Sequence, residues 1–342
     1  MKTDRPLLTI GIPTHGRASF LRELLVSLQP QLKDQPKVEL LISDNASDDE
    51  TAEVVREFER SGLELRYLRN EINIGPDANF LQCYEQAAGR YVWVFGDDDL
   101  LLDGGLATVV KLLEHESPDY VFVAPYRFVE TIEEIRPRRR NVATKIVNNP
   151  IEMVTLVNLY ADLIFISSGI VDKERIATIP HPPFSSLVGT NVVQLGWVFT
   201  SLRNLKRGLF VQLGPLAARG ANSRGGFEAA RVFGESYRRA VSEMLEPDSA
   251  LARKLIGDHL RIWFPMHWLE FRDYGEDARA QRRILRRAFD DTPWYWICAW
   301  PLIYAPRNVA QLWAKVLWVI ARIWREQLGV PGKKGTRPPA AG

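Results

Sequence analysis

Three consecutive carboxylates, Asp97, Asp98 and Asp99, follow Gly96 directly after the apolar run Tyr91–Phe95. Adjacent carboxylates repel one another, and burial penalises their charged form unless a cation compensates. Oxygen donors of this kind suit Mg²⁺ or Mn²⁺. The plainer alternative is a solvated acidic turn that caps the next helix. The position immediately after a hydrophobic strand favours the metal. Three other polar clusters occupy the same kind of position. Pro13–Thr14–His15–Gly16–Arg17 closes the apolar run Leu7–Ile12, and its backbone donors with Arg17 suit a phosphate near a helix N-terminus. Asp44–Asn45 follows Val38–Ile42. Its carboxylate and amide suit a nucleobase edge or ribose, or else a turn in which Ser47 or Asp48 caps the next helix. The stretch Asn70–Asn79, with Asn73 and Gly75 inside it, follows Leu65–Leu68. Asn and Gly tolerate the left-handed backbone of a tight turn, whereas Asn79 falls on a helix proper.

The elements that must position these clusters alternate regularly. Helical spacing is read over Ser19–Leu28, Asp49–Arg60, Asp77–Ala88 and Gly105–Leu113, between the apolar runs named above and two more at Tyr120–Ala124 and Leu163–Val171. Such alternation predicts an α/β fold with a mainly parallel sheet flanked by helices. Ligands of such sheets bind at the carboxyl ends of the strands, which makes the four clusters neighbours in space.

In this order the four clusters resemble the pattern of the family 2 glycosyltransferases, which have the GT-A fold. The resemblance rests on Pro13 to Arg17, on Asp44–Asn45–Ala46–Ser47–Asp48–Asp49–Glu50–Thr51, on the Asn-x-Gly turn with its downstream Asn79, and on the DxD motif at Asp97–Asp99. It covers about residues 7–125, and the Gly-Asp-Asp-Asp form is most similar to the abequosyltransferase-like branch of bacterial surface-polysaccharide assembly. The resemblance implies a role for each matching residue. Pro13, Thr14 and Arg17 would line the nucleotide pocket, and Asp44 would read the base beside Asn45. Asn73, Gly75 and Asn79 would shape the nucleotide-sugar site. Asp97 and Asp98 would lie against ribose or donor sugar, and Asp99, with Asp97, would hold Mn²⁺ or Mg²⁺ against the diphosphate.

Inverting members of that family place an acidic base some 60 to 100 residues beyond the DxD motif. Here the corresponding region is Phe184–Trp197, and no Asp or Glu occurs between Glu174 and Glu228. His181 is the conventional base in that gap, since imidazole accepts a proton near neutral pH; Asp162 and Asp172 are alternatives. Arg219 and Arg224 lie in a Gly-rich basic stretch, 219–226, read either as a loop closing over the donor diphosphate or as a plain linker.

The rest of the chain differs in character. Residues 1–150 carry 18 Lys/Arg against 25 Asp/Glu, while residues 251–342 carry 16 against 8 and eight of the ten tryptophans. The domain reading is a catalytic domain over 1–226, comprising a nucleotide-sugar half, 1–125, and an acceptor half, 126–226. A helical, basic and Trp-rich extension, 227–330, and a disordered tail, 331–342, follow. Val309, Leu312, Trp313, Val316, Leu317, Ile320, Ile323 and Trp324 recur at helical spacing with basic residues on other faces. That pattern suits an anionic membrane surface, or else packing on the core or a dimer interface. The two cysteines are far apart and the first residues hold no apolar run behind a basic cluster, so a reducing, cytoplasmic setting is expected, on the inner face of the cell membrane. The donor would be a nucleotide-diphosphate sugar and the acceptor a polyprenyl-diphosphate-linked saccharide. No nucleic-acid motif is found, so nucleic acid is not an expected partner. A sugar nucleotidyltransferase and a non-catalytic sugar-nucleotide-binding scaffold stay open as alternatives.

Overall fold

The computed structural model describes residues 5–129, 143–158, 163–212, 215–220, 228–272 and 277–327. The chain divides into two units, Met1–Met153 with Asp162–Gly226, and Val154–Ala161 with Phe227–Gly342.

In the first unit the apolar runs become the strands. β1 (Leu8–Thr14), β2 (Val38–Asp44), β3 (Arg66–Arg69) and β4 (Tyr91–Val94) are joined by α1 (Ala18–Leu32), α2 (Thr51–Arg60) and α3 (Pro76–Gln86). β5 (Leu100–Leu101), α4 (Gly105–Glu116), β6 (Tyr120–Val123), β7 (Tyr126–Phe128), β8 (Ala143–Val147) and α5 (Pro150–Asn158) follow. β9 (Gly169–Asp172), α6 (Lys173–Ala177), α7 (Leu195–Arg203), β10 (Gly208–Gln212) and β11 (Leu216–Arg219) complete it. The main sheet runs β3-β2-β1-β4-β9-β6-β10-β8. Its first four strands are parallel, in a register that sets Thr14 beside Asp44.

The sheet is less uniformly parallel than expected, because β9 inserts antiparallel between β4 and β6 and β8 pairs antiparallel with β10. The expected strand over Leu163–Val171 is shortened at its start. A 3₁₀ turn occupies Ile166–Ser168 and only Gly169–Asp172 is extended. This turn puts backbone and hydroxyl groups at the carboxyl end of β4. A second, three-stranded sheet, β5-β11-β7, brings Leu216–Arg219 beside Leu100–Leu101.

The core explains why the chain folds this way. Leu21, Leu24, Leu25 and Leu28 share the inner face of α1 and cluster with Val54, Val55 and Phe58 of α2 and Ile10 and Ile12 of β1. Each such side chain contributes roughly 1.5–3 kcal/mol on burial. α3 lies on β1, β2 and β4, and α7 lies on β9 and β6.

The second unit is helical. It comprises α8 (Tyr237–Met244), α9 (Ala250–Asp258), α10 (Phe264–Phe271), α11 (Ala278–Phe289), α12 (Trp300–Tyr304) and α13 (Arg307–Gln327). Three π-helical stretches, Arg231–Ser236, His259–Trp263 and Tyr295–Ala299, interrupt it. His259 is buried in the middle one, donates from Nε2 to the Phe233 carbonyl at 2.7 Å and stacks on Tyr237. Burial pushes its pKa down to about 3, so the imidazole is neutral. The tail expected to be disordered, 331–342, lies outside the described residues.

Candidate functional site

The parallel strands β1, β2 and β4 end together, and the polar clusters follow from that register. The turn after β4 presents the three carboxylates. Asp97 is 4% exposed; its Oδ2 accepts from the Thr14 hydroxyl at 2.8 Å and its Oδ1 from the Arg17 guanidinium at 2.8 Å. The same Arg17 nitrogen reaches Asp98 Oδ2 at 3.3 Å. Asp99 is 1% exposed and has neutral donors instead. Its Oδ2 accepts from the Ser167 hydroxyl at 2.5 Å and its Oδ1 from the Arg219 backbone N–H at 3.1 Å. Ser167 Oγ in turn accepts from the Gly96 N–H at 2.8 Å, and the Ser167 carbonyl accepts from the Trp93 indole at 2.7 Å.

Burial dominates the electrostatics of the cluster. It pushes Asp97 up to about 6, against the pull of Arg17, and Asp99 up to about 7, with Asp98 adding repulsion in both cases. Asp99 is therefore a buried carboxylate whose charged form burial and Asp98 oppose and Arg127 offsets only in part. Hard oxygen donors in that situation fit a divalent cation. Among the described residues no three carboxylate, imidazole or thiolate groups form a ready cage. One or two carboxylates with phosphate and water completing the shell is the ordinary way such an ion is held.

The second strand end carries a hydrogen-bonded cluster. Asp44 is fully buried; Oδ1 accepts from the Ser47 N–H at 2.8 Å and Oδ2 from the Tyr67 hydroxyl at 2.5 Å, with Arg69 at 3.7 Å. Burial raises the Tyr67 pKa, and the bond to Asp44 adds to the rise. Oδ1 thus shapes the 44–47 turn, while Oδ2 is held from β3 by Tyr67. Asn45 is the hub beside it. Its Oδ1 accepts from Ile74 N–H at 2.9 Å, and its Nδ2 donates to Asn73 Oδ1 at 2.8 Å and to the Gly75 carbonyl at 3.3 Å. Asn73 Nδ2 lies 2.9 Å from His15 Nε2. Gly75 stands at φ +85°, a left-handed conformation that suits glycine, and caps α3.

Several expectations are corrected by position. Asn79 is 3% exposed, and both ends of its amide bond Ser43, so it pins α3 to β2 and does not face the pocket. The helix cap expected at Ser47 or Asp48 is Asp49, whose Oδ1 takes the Thr51 N–H while Oδ2 takes the Ala18 N–H. Ser47 Oγ accepts from Gly16 N–H instead. His181 stacks on Phe184, which packs against Tyr84, the ring beneath the Lys173 ammonium. Lys173 donates to carbonyls that precede the start of β4, the end of the strand opposite Asp97–Asp99. The contacts of His181 are thus with the Phe184 ring and, through Nδ1, the Pro182 carbonyl at 2.7 Å. Asp172 is at that far end too, paired with Arg90 at 2.9 Å. Asp162 and Arg224 lie outside the described residues.

Arg219 is the last residue of β11, with its side chain 7% exposed. Its guanidinium pairs with Glu23, lies over the Phe20 and Phe128 rings and donates to the Asp98 carbonyl. It braces the acidic turn from below and is not free to close over a diphosphate. Ser167 and Tyr67 support the site without having been singled out, while Asp49 belongs to the run on which the resemblance rests. For Asp49 the acidic run after Asp44 carried a signal; for Ser167 nothing in its own surroundings did.

Comparison with known proteins agrees with this geometry. The sequence profile described as glycosyl transferase family 2 matches residues 9–170. Abequosyltransferase RfbV of Salmonella typhimurium is 32% identical over 194 residues, 54% of this chain and 58% of that protein. The GalNAc(5)-diNAcBac-PP-undecaprenol beta-1,3-glucosyltransferase of Campylobacter jejuni is 33% identical over 107 residues, 31% of this chain and 34% of that protein. The matched portions are thus about half and a third of these relatives' lengths. Among solved structures, TarS 1-349 of S. aureus superposes with a TM-score of 0.60 at 18% identity, covering 94% of this chain and 91% of that one. Mannosyltransferase PcManGT from Pyrobaculum calidifontis, in complex with GDP-Man and Mn²⁺, gives 0.52 at 18% identity, covering 96% and 89%. At such identity these two establish the fold, which is the GT-A fold expected.

Proposed function

We propose, from the match of residues 9–170 to glycosyl transferase family 2, that the protein moves a sugar from a nucleotide-diphosphate sugar to a hydroxyl of a lipid-linked saccharide, in bacterial surface-polysaccharide assembly. The observation that carries the reading is the convergence of Asp97–Asp99, Thr14, Arg17 and the Asn45–Asn73–Gly75 wall at one sheet edge. The relative that is similar over 194 residues is an abequosyltransferase, and a second has an undecaprenol-linked substrate in its name.

In this reading Asn45 and Asn73 shape the nucleotide pocket, with Pro13, Thr14 and Asp44 forming its floor. Asp97 and Asp98, held by Arg17, face ribose and donor sugar. Asp99, with Asp97 beside it, would hold Mn²⁺ or Mg²⁺, which supplies Lewis-acid stabilisation of the departing diphosphate. The acceptor oxygen bonds to the anomeric carbon as the bond to the diphosphate oxygen breaks, with inversion, and the acceptor proton passes to a base. The catalytic groups in this reading are Asp97 and Asp99, through the ion they would hold, with His181 as the candidate for the base.

The test is calorimetric titration with UDP, GDP, CDP and dTDP, with and without Mn²⁺. A metal-dependent preference for one nucleotide is expected. Because Asp99 titrates near 7, protons compete with the ion, and the metal-supported affinity should fall on the order of tenfold from pH 8 to pH 6. Folded protein that binds none of the four overturns the reading.

The same proposal places the second unit on an anionic membrane surface. Among the described residues no helix is long and apolar enough to cross a membrane. α13 turns Ala310, Ala314 and Leu317 inward and leaves Val309, Leu312, Val316, Val319, Ile320 and Ile323 exposed. Trp294, Trp296 and Trp300 are exposed too, with Arg261 over Trp294 and Arg286 over Trp296. Exposed indoles paired with arginines match the boundary between headgroups and acyl chains. Flotation of the full chain should show binding to vesicles containing phosphatidylserine, weak binding to pure phosphatidylcholine, and loss of binding in Val316→Glu/Ile320→Glu. Equal flotation of the double variant would rule the α13 face out.

A further inference from the structure

The stretch 175–227 is devoid of acidic residues, yet a carboxylate from elsewhere in the chain is buried against its 189–193 turn. It is Asp77, from the first turn of α3. Asp77 is 3% exposed, and its Oδ2 accepts from the Asn191 N–H at 2.7 Å and its Oδ1 from the Val193 N–H at 3.5 Å. The N–H groups of Gly189 and Thr190 face the same carboxylate. Gly189 at φ +87° and Asn191 at φ +60° are both left-handed. Successive N–H groups in such a turn form a concave nest for an anion, and Asp77 fills it from within the chain.

Both ends of this arrangement lead back to the donor site. Two residues before Asp77, the Gly75 carbonyl takes the Asn45 amide. At the other end of the turn, Gln194 is 5% exposed and its Nε2 donates to the Ile164 carbonyl at 2.7 Å. Ile164 leads into the 3₁₀ turn whose Ser167 bonds Asp99. The segment 189–194 is therefore strung between the nucleotide wall and the acidic turn.

We infer that Asp77 is a positioning residue: it fixes the 189–194 turn as the wall against which the acceptor hydroxyl is placed. The inference rests on the transferase reading. Asp77 itself moves no proton, because both of its oxygens face backbone N–H groups.

Two variants of the full chain test it. Asp77→Asn removes the charge from the nest. Gly189→Ala leaves Asp77 intact and adds a Cβ with no atom within 4 Å, so it strains the turn without touching the core. In both, hydrogen exchange of the 189–193 amides should accelerate at least tenfold while exchange in 91–95 is unchanged. Nucleotide affinity with Mn²⁺ should stay within about threefold of wild type. Transfer to a panel of octyl glycosides should drop at least tenfold, with hydrolysis of the sugar nucleotide by water less affected. A merely structural role would lower affinity, hydrolysis and transfer together. Unchanged amide exchange, or wild-type transfer in Asp77→Asn, overturns the inference. A wild-type chain that binds no nucleotide and releases no sugar instead overturns the transferase reading, and the exchange measurement still decides whether Asp77 holds the turn.

Discussion

Asp99→Asn should reduce sugar transfer by about three orders of magnitude and abolish the Mn²⁺-dependent part of nucleotide binding, while leaving the fold intact. The expected size follows from the charge that develops on a departing diphosphate. Removing one preorganised electrostatic partner of such a charge typically costs a factor of about 10²–10³, and a lost metal ligand adds to that. The fold should survive because the neutral side chain is the form the surroundings already favour. Burial raises Asp99 to about 7 from an ordinary value of 3.8. A carboxyl with a raised folded pKa binds more protons folded than unfolded between those two values. Its contribution to stability is therefore greatest at low pH and declines as pH rises towards 7, by up to about 1.4 kcal/mol per unit. Without metal, wild type should lose melting temperature between pH 5 and pH 8 through this group, and Asp99→Asn should lose less. Added Mn²⁺ should restore wild type and leave the variant unchanged. The decisive comparison is thermal unfolding at the two pH values with and without Mn²⁺, beside turnover. A variant that melts lower than wild type at pH 8, or that keeps a Mn²⁺ response, would remove Asp99 from the metal role.

The sequence was informative where function and local pattern coincide. The acidic turn follows the apolar run of β4, Thr14 and Asp44 close β1 and β2, and Asn45 comes directly after, so each polar group marks the carboxyl end of an apolar strand. Strand ends could thus be read from hydropathy alone, and in a parallel arrangement they must converge. What could not be read is which polar atoms are already consumed. Asn79 has the type and spacing of a ligand-facing residue, yet Ser43 satisfies both ends of its amide. Arg219 sits in a Gly-rich basic stretch, yet pairing between β11 and β7 sets it beside Phe128, with its side chain over the Phe20 and Phe128 rings. Long-range contacts decide such cases, and Ser167 is the clearest: it stands 68 positions from Asp99 and meets it because β9 runs antiparallel beside β4. For His181 residue type alone made the nomination; its ring stacks on Phe184 and its Nδ1 meets the Pro182 carbonyl.

Trp93→Ala should destabilise the protein by about 3–5 kcal/mol, the range for deleting a large aromatic from a core, and should disable the site even where the chain stays folded. Trp93 is fully buried in β4, paired with Ile10 on one side and Ile170 on the other, with its ring edge-on to Phe95. Against a typical total of about 5–15 kcal/mol, the loss would leave a marginal fold. Its indole N–H also holds the Ser167 carbonyl at 2.7 Å, and Ser167 is the residue that bonds both Asp99 and the Gly96 N–H. The two effects separate in Trp93→Phe, which retains most of the ring volume and removes only the donor. A buried carbonyl left unpaired costs roughly 1–3 kcal/mol, so this variant should unfold at lower urea with an unchanged slope. If the Trp93–Ser167 bond sets the carboxylate, Trp93→Phe should also weaken Mn²⁺-dependent nucleotide binding, while binding without metal stays as in wild type. Wild-type metal response in a measurably destabilised Trp93→Phe would show that Ser167 is held by the 3₁₀ turn alone, and that the indole serves only the core.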